Sequence, residues 1–198
     1  MNLKLFDRWD LSQIEVKDPG LKSYINIAPV LVPRSAGRNA KQQFYKNRSN
    51  IVERLMNHMM VSGHKGKKHF ITSGTYGGKS ITAMKIMEKA LKLIEERTKK
   101  NPVEVVVRAI ENAAPREEIT TIEYGGARYP QAVDSSPQRR IDIALRTMVQ
   151  GAAHKSFGEK VKMEEALADE IVKASLCMNT SNAVAKKLEL ERQADAAR

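Results

Sequence analysis

The chain has 198 residues, 41% of them hydrophobic and 29% charged, with a formal net charge of +11. That length supports one compact core with residues to spare, and no apolar run approaches the roughly 18 residues of a membrane span. A single cysteine, Cys177, excludes an internal disulfide and a cysteine-based zinc site, and His58, His64, His69 and His154 show no metal-ligand spacing.

Residues 1–49 carry no sustained helical period and are punctuated by Pro19, Gly20, Pro29, Pro33 and Gly37, which predicts an extended N-terminal arm. A helical body is expected over residues 50–198. Its first helix is signalled by Ile51, Val52, Leu55, Met56, Met59 and Met60, with Asn50 and Glu53 as a capping box and Gly63 as a stop. Residues 64–79 read as a basic, glycine-containing loop. A second helix is predicted over residues 80–98, with Ala83, Met84, Met87, Ala90, Leu91 and Ile94 on one face. Asn101, Pro102 and Glu104 sit in favoured slots at the start of a third helix, which Pro115 ends.

The period then changes to two. Thr120, Ile122 and Tyr124 alternate up to Gly125-Gly126, and Tyr129, Gln131 and Val133 alternate after it, which predicts a protruding β-hairpin over residues 118–133. Ser136-Pro137 opens a fourth helix, Met163, Ala166, Leu167 and Ile171 signal a fifth, and a sixth begins near Ser181. The expected architecture is mainly α: a bundle of about six helices with one β-hairpin between the third and fourth, plus a basic N-terminal arm. Cys177 is expected to be a small apolar residue near a helix end, and the acidic pairs Glu117-Glu118 and Glu164-Glu165 to lie on the surface.

Residues 19–87 hold twelve Lys and Arg against one acid, Glu53, while the segments before and after sum to −1 and +1. Such a block repels itself and gains nothing in a packed core. It gains by neutralising a polyanion and releasing counterions, which points to nucleic acid. Arg34, Arg38, Lys41, Lys46 and Arg48 lie on the arm with Phe44 and Tyr45 among them, combining phosphate pairing with rings able to stack on bases. Lys65, Lys67, Lys68 and Lys79 form a second cluster. Arg139, Arg140 and Arg146 begin the fourth helix, where cations oppose the helix dipole and an external anion would explain them. At the hairpin tip, Tyr124, Gly125, Gly126, Arg128 and Tyr129 form a ribbon able to reach a groove or a single strand.

The run from Gly74 to Gly78-Lys79-Ser80 ends like a phosphate-binding loop, but three residues rather than four separate the two glycines, and no series of parallel strands accompanies it. Nucleotide hydrolysis is not expected, and no enzyme activity or cofactor is called for. The first residues, with Asp7, Trp9 and Asp10, lack the apolar stretch of a secretory signal, so a cytoplasmic setting is expected.

The order of these parts resembles the small-subunit ribosomal protein seven family in its archaeal and eukaryotic form. The resemblance is carried by Pro33-Arg34-Ser35-Ala36-Gly37-Arg38, Ile51-Val52-Glu53-Arg54-Leu55-Met56, Asn101-Pro102, Ala114-Pro115-Arg116-Glu117, Gln131-Ala132-Val133-Asp134, Ser136-Pro137-Gln138-Arg139-Arg140, Leu167-Ala168-Asp169-Glu170 and Glu189-Leu190-Glu191-Arg192. It implies a structural protein of the small ribosomal subunit that binds the 3-prime major domain of small-subunit rRNA and nucleates assembly of the head. By position, residues 34–48 and 65–79, with Arg139 and Arg140, would grip rRNA. The hairpin tip would lie near the E-site tRNA and the emerging mRNA, and the last helix would reach a platform protein beside the head proteins.

Overall fold

Asn50, Asn101 and Ser181 are the N-caps of three helices, and their side chains accept from the N–H groups of Val52, Val103 and Val184, relieving donors that a helix start leaves orphaned. Pro102 and Pro137 occupy first helical positions, where the missing N–H costs nothing. The computed structural model describes residues 3–65, 68–69, 71 and 73–198. Within them lie α1 (Pro19–Lys22), α2 (Ile51–Met59), α3 (Ser80–Thr98), α4 (Pro102–Ala113), α5 (Pro137–Ser156), α6 (Met163–Ser175) and α7 (Asn182–Asp195). The hairpin of β3 (Glu117–Tyr124) and β4 (Ala127–Asp134) falls between α4 and α5.

The described residues thus hold seven helices rather than about six, because the four-residue α1 forms inside the expected arm. Asp18 caps it by accepting from Gly20 N. The loop expected over 64–79 contains a short antiparallel pair, β1 (His64–Lys65) with β2 (Lys68–His69). Helix α2 stops before Gly63, and its capping box does not form. The Glu53 carboxylate accepts instead from Ser35 N at 2.7 Å and Ser35 Oγ at 2.5 Å.

Helix α6 is the hub. It packs against α3, α4 and α5 through Ala166, Leu167, Ala168, Ile171 and Ala174, all buried, and the small residues let neighbouring backbones approach. Its Glu170, fully buried, accepts from Lys155 Nζ of α5 at 2.9 Å, from Ser181 Oγ at 2.8 Å and from Ala183 N at 3.2 Å. One carboxylate therefore ties α5 and the N-terminus of α7 to the hub, where negative charge suits the helix dipole. Where α6 ends, Cys177 takes a left-handed φ of 55° and lies exposed. It thus stands near a helix end, as expected, with its thiol at the surface.

The N-terminal segment departs furthest from expectation. Leu5, Trp9, Leu11, Leu21 and Ile25 are buried in the same core as the helices, so residue 49 is no boundary of that core. Trp9 Nε1 donates to Glu95 on α3 at 3.2 Å, and Asn101 Nδ2 donates to Asp10 O at 2.6 Å. The residues are spaced by turns rather than by a helical or strand period, so no pattern announces them. Residues 26–49 are not extended either. They fold back over α2 through the Asn26–Asn50 bridge and 3-10 turns at Arg38–Ala40 and Tyr45–Arg48.

Candidate nucleic-acid interface

Folding the arm back over α2 creates a groove of about 830 Å³ between the arm, one face of α2, the first turn of α3 and the first turns of α5. Arg34 and Lys46 reach it from the arm, and Arg139 and Arg146 from α5. These cations lie about a hundred residues apart in sequence, and the turn of the arm brings them to one cleft. Arg38 and Lys41, both exposed, sit on the arm between residues that line the cleft.

Two carboxylates also line it, and both are already engaged. Glu53 is held by Ser35 as described. Asp142 accepts from Arg54 Nη2 at 3.0 Å and from Lys46 Nζ, with His58 Nε2 at 3.9 Å. Burial alone would raise the Asp142 pKa, but the interactions with His58, Lys46 and Arg54 outweigh it and hold this carboxyl well below the usual range. Asp142 is the sole acid of α5, set between Arg139-Arg140 and Arg146, and that isolation was the available sequence sign of its role. Arg139 Nε meets Glu118 Oε1 at 2.5 Å, which raises the guanidinium pKa further, yet its side chain remains 58% exposed. Arg146 is exposed and forms no ion pair among the described residues.

Other predicted residues lie elsewhere. Arg140 is turned inward: its side chain is 11% exposed, pairs with Asp18 at 2.9 Å and donates through Nε to Pro115 O at 3.1 Å. Arg48 lies over the Tyr45 ring, 4.0 Å from the centroid, so that ring face is covered. Lys68 is exposed on β2, whereas Lys67 and the side chain of Lys65 lie outside the described residues. Lys79 Nζ donates to Gly74 O, while the N–H groups of Gly77, Gly78 and Lys79 donate to Ser73, Met60 and Tyr76 carbonyls. The glycine loop thus spends its donors on its own chain instead of presenting a phosphate cradle.

The hairpin tip is separate from the groove. Gly125 and Gly126 both have positive φ, 59° and 83°, which a two-residue turn between Tyr124 and Ala127 requires. Tyr124 and Tyr129 do not pack on the bundle: they are 82% and 58% exposed. Arg128 pairs loosely with Glu123 across the strands at 3.6 Å. Phe44, Ile81, Gln42 and Gln43 also line the groove, and of these only Phe44 had a sequence sign, its place among the arm cations.

Among the described residues no helix is long and apolar enough to cross a membrane, and no cluster of His, Cys, Asp and Glu suits a metal ion. The sequence profile of the family described as ribosomal protein S7p/S5e matches residues 24–198. The chain is 54% identical over 198 residues to the small ribosomal subunit protein uS7 of Nanoarchaeum equitans, covering all of both chains. It is 48% identical to the uS7 protein of Methanococcus maripaludis, again end to end, and 46% identical to that of Methanococcus vannielii, covering 97% of the relative. Matched along almost all its length, and end to end by archaeal relatives, the chain belongs to the ribosomal protein S7p/S5e family, a structural and non-enzymatic one.

Proposed function

We propose that this chain is a structural component of the small ribosomal subunit that binds small-subunit rRNA through the groove between its folded-back arm and α5. The observation that carries the reading is the convergence of Arg34, Lys46, Arg139 and Arg146 on one cleft of a chain from this family. Cations from two distant segments, gathered at a surface whose carboxylates are internally paired, suit a phosphate backbone that crosses both.

The finer reading follows the family resemblance. The RNA is the 3-prime major domain of small-subunit rRNA, and binding there nucleates assembly of the head. Arg38, Lys41 and Lys68 extend the phosphate track, while Arg140 supports the surface from within. The exposed hairpin tip, with Tyr124, Arg128 and Tyr129, faces the E-site tRNA and the emerging mRNA. Helix α7 meets a neighbouring platform protein, and other head proteins complete the surroundings in the cytoplasmic ribosome. In this scheme residues 1–49 are the N-terminal extension, in which Leu5 to Ile25 pack into the core and Arg34 to Arg48 carry the basic arm, and residues 50–198 are the helical body that bears the other wall of the RNA-binding groove.

The test is a filter-binding titration of the chain against small-subunit rRNA across salt concentrations. The log-log slope should approach −0.7 to −0.9 for each phosphate neutralised, roughly −3 to −4 if the groove cations all engage. Duplex DNA should compete weakly. A flat salt response, or DNA competing as an equal, would remove the reading.

A further inference from the structure

The ring of Phe44 gains little from the fold. It is 59% exposed, and its backbone lies in the left-handed region at φ 69° and ψ −8°, which glycine adopts freely and a residue with a Cβ adopts only at a cost. Burial does not offset that cost, because the ring is largely in solvent. An exposed aromatic ring held in that conformation is a candidate for a role other than stability.

The surroundings fit a nucleobase. Phe44 shares the groove lining with Ile81, an apolar side chain 55% exposed at the start of α3, and with Met84 one turn further on. Gln42 and Gln43, next to it in sequence, place amides in the same lining and make no side-chain hydrogen bond among the described residues. Such amides can donate to and accept from a base edge. Arg34, Arg139 and Arg146 supply the charge that phosphates on either side would meet. Tyr45, by contrast, has one face covered by Arg48 and does not line the groove.

We propose that the groove admits one unstacked nucleotide of an RNA, with its base on the Phe44 ring against Ile81 and Met84 and its flanking phosphates on Arg34, Arg139 and Arg146. This rests on the RNA-binding reading above and adds the feature recognised. A paired base keeps its faces inside the stack, so a continuous duplex has nothing to lay on the ring, whereas a bulge or loop does. The volume of about 830 Å³ lies within the ~300–1,000 Å³ usual for ligand clefts.

The experiment uses two RNA stems of one sequence, the first with a single bulged fluorescent adenine analogue and the second fully paired. Each is titrated with the full chain and with Phe44→Ala, Phe44→Gly and Phe44→Tyr. The wild type should prefer the bulged stem and quench its fluorescence. Phe44→Ala and Phe44→Gly should lose about 5- to 150-fold of affinity for the bulged stem, the range seen when a stacking ring is removed, and none for the paired stem. Phe44→Tyr should retain both affinity and quenching. Equal binding of the two stems by the wild type, or wild-type affinity for the bulged stem in Phe44→Ala, would overturn the base site, and salt-dependent affinity for small-subunit rRNA would then still uphold the RNA-binding reading. Displacement of the bulged stem by an equal concentration of adenosine monophosphate would also overturn it, assigning the groove to a free nucleotide. Absence of any salt-dependent RNA affinity in the wild type would overturn both.

Discussion

The Asp142 carboxylate takes a 3.0 Å hydrogen bond from the buried guanidinium of Arg54 and so ties α5 to α2 at the wall of the basic groove. Lys46 of the arm shares the same carboxylate. One acid thus stabilises the body and fixes where the arm closes upon it.

Replacing Asp142 by Asn would leave Arg54, whose side chain is 4% exposed, without its counter-charge. Breaking a buried pair from one side costs about 3 kcal/mol, and urea denaturation at neutral pH should read that loss. The pH dependence has a definite sign. Because the folded-state pKa is depressed, the unfolded chain takes up the proton first as pH falls. The stabilisation from this carboxyl is full above about pH 4, near the ordinary Asp value, and declines progressively below it. In Asp142→Asn that part of the acid sensitivity should vanish.

Arg146 and Arg140 should separate cleanly. Arg146→Ala removes an exposed groove cation and should reduce the magnitude of the rRNA salt slope by about 0.7–0.9 with little change in stability. Arg140→Ala strips Asp18 and the Pro115 carbonyl of their partner and should cost about 1–3 kcal/mol of stability while leaving the slope unchanged. Paired filter-binding and urea titrations would decide, and a reduced slope in Arg140→Ala would move that residue into the interface.

Leu21 is fully buried although it lies in a segment without a periodic pattern. Leu21→Ala should therefore cost about 2–5 kcal/mol. Trp9 is the single tryptophan and only 4% exposed, so its fluorescence reports the transition. Deleting residues 1–25 should likewise lower the Tm substantially. An unchanged Tm would mean that those residues are not part of the core.

At the hairpin tip the opposite is expected. Tyr124→Ala and Tyr129→Ala remove exposed rings and should change stability by no more than about 0.5 kcal/mol. If the tip meets tRNA or mRNA, crosslinking of those RNAs to assembled subunits should fall in the same variants.

Gly151 marks a close approach of α5 to the start of α7. A Cβ there would lie 2.7 Å from Asn182 Cβ, a contact no rotamer change relieves. Gly151→Ala should cost about 1–3 kcal/mol, and Asn182→Gly should recover part of it in thermal unfolding of the double variant.

The helices and the hairpin were legible in the sequence because their signals are local. Ser80–Thr98 appears where the apolar spacing puts it, Asn101 caps the helix that Pro102 begins, and the two glycines set the turn between Tyr124 and Ala127. The excess of cations over residues 19–87, and with it the expected class of ligand, was equally local. What the tertiary structure alone decided was partnership. Arg139 and Arg140 are neighbours in sequence with the same chemistry, yet one faces the groove and the other is spent on Asp18, because adjacent residues on a helix point about 100° apart and packing selects which faces inward. Leu5, Trp9, Leu11, Leu21 and Ile25 enter the core at turns, which leave no period to read, and the arm's cations meet those of α5 only because the chain folds back over α2. A repeating backbone writes its burial pattern into neighbouring residues, whereas contacts between distant segments depend on the whole chain having packed.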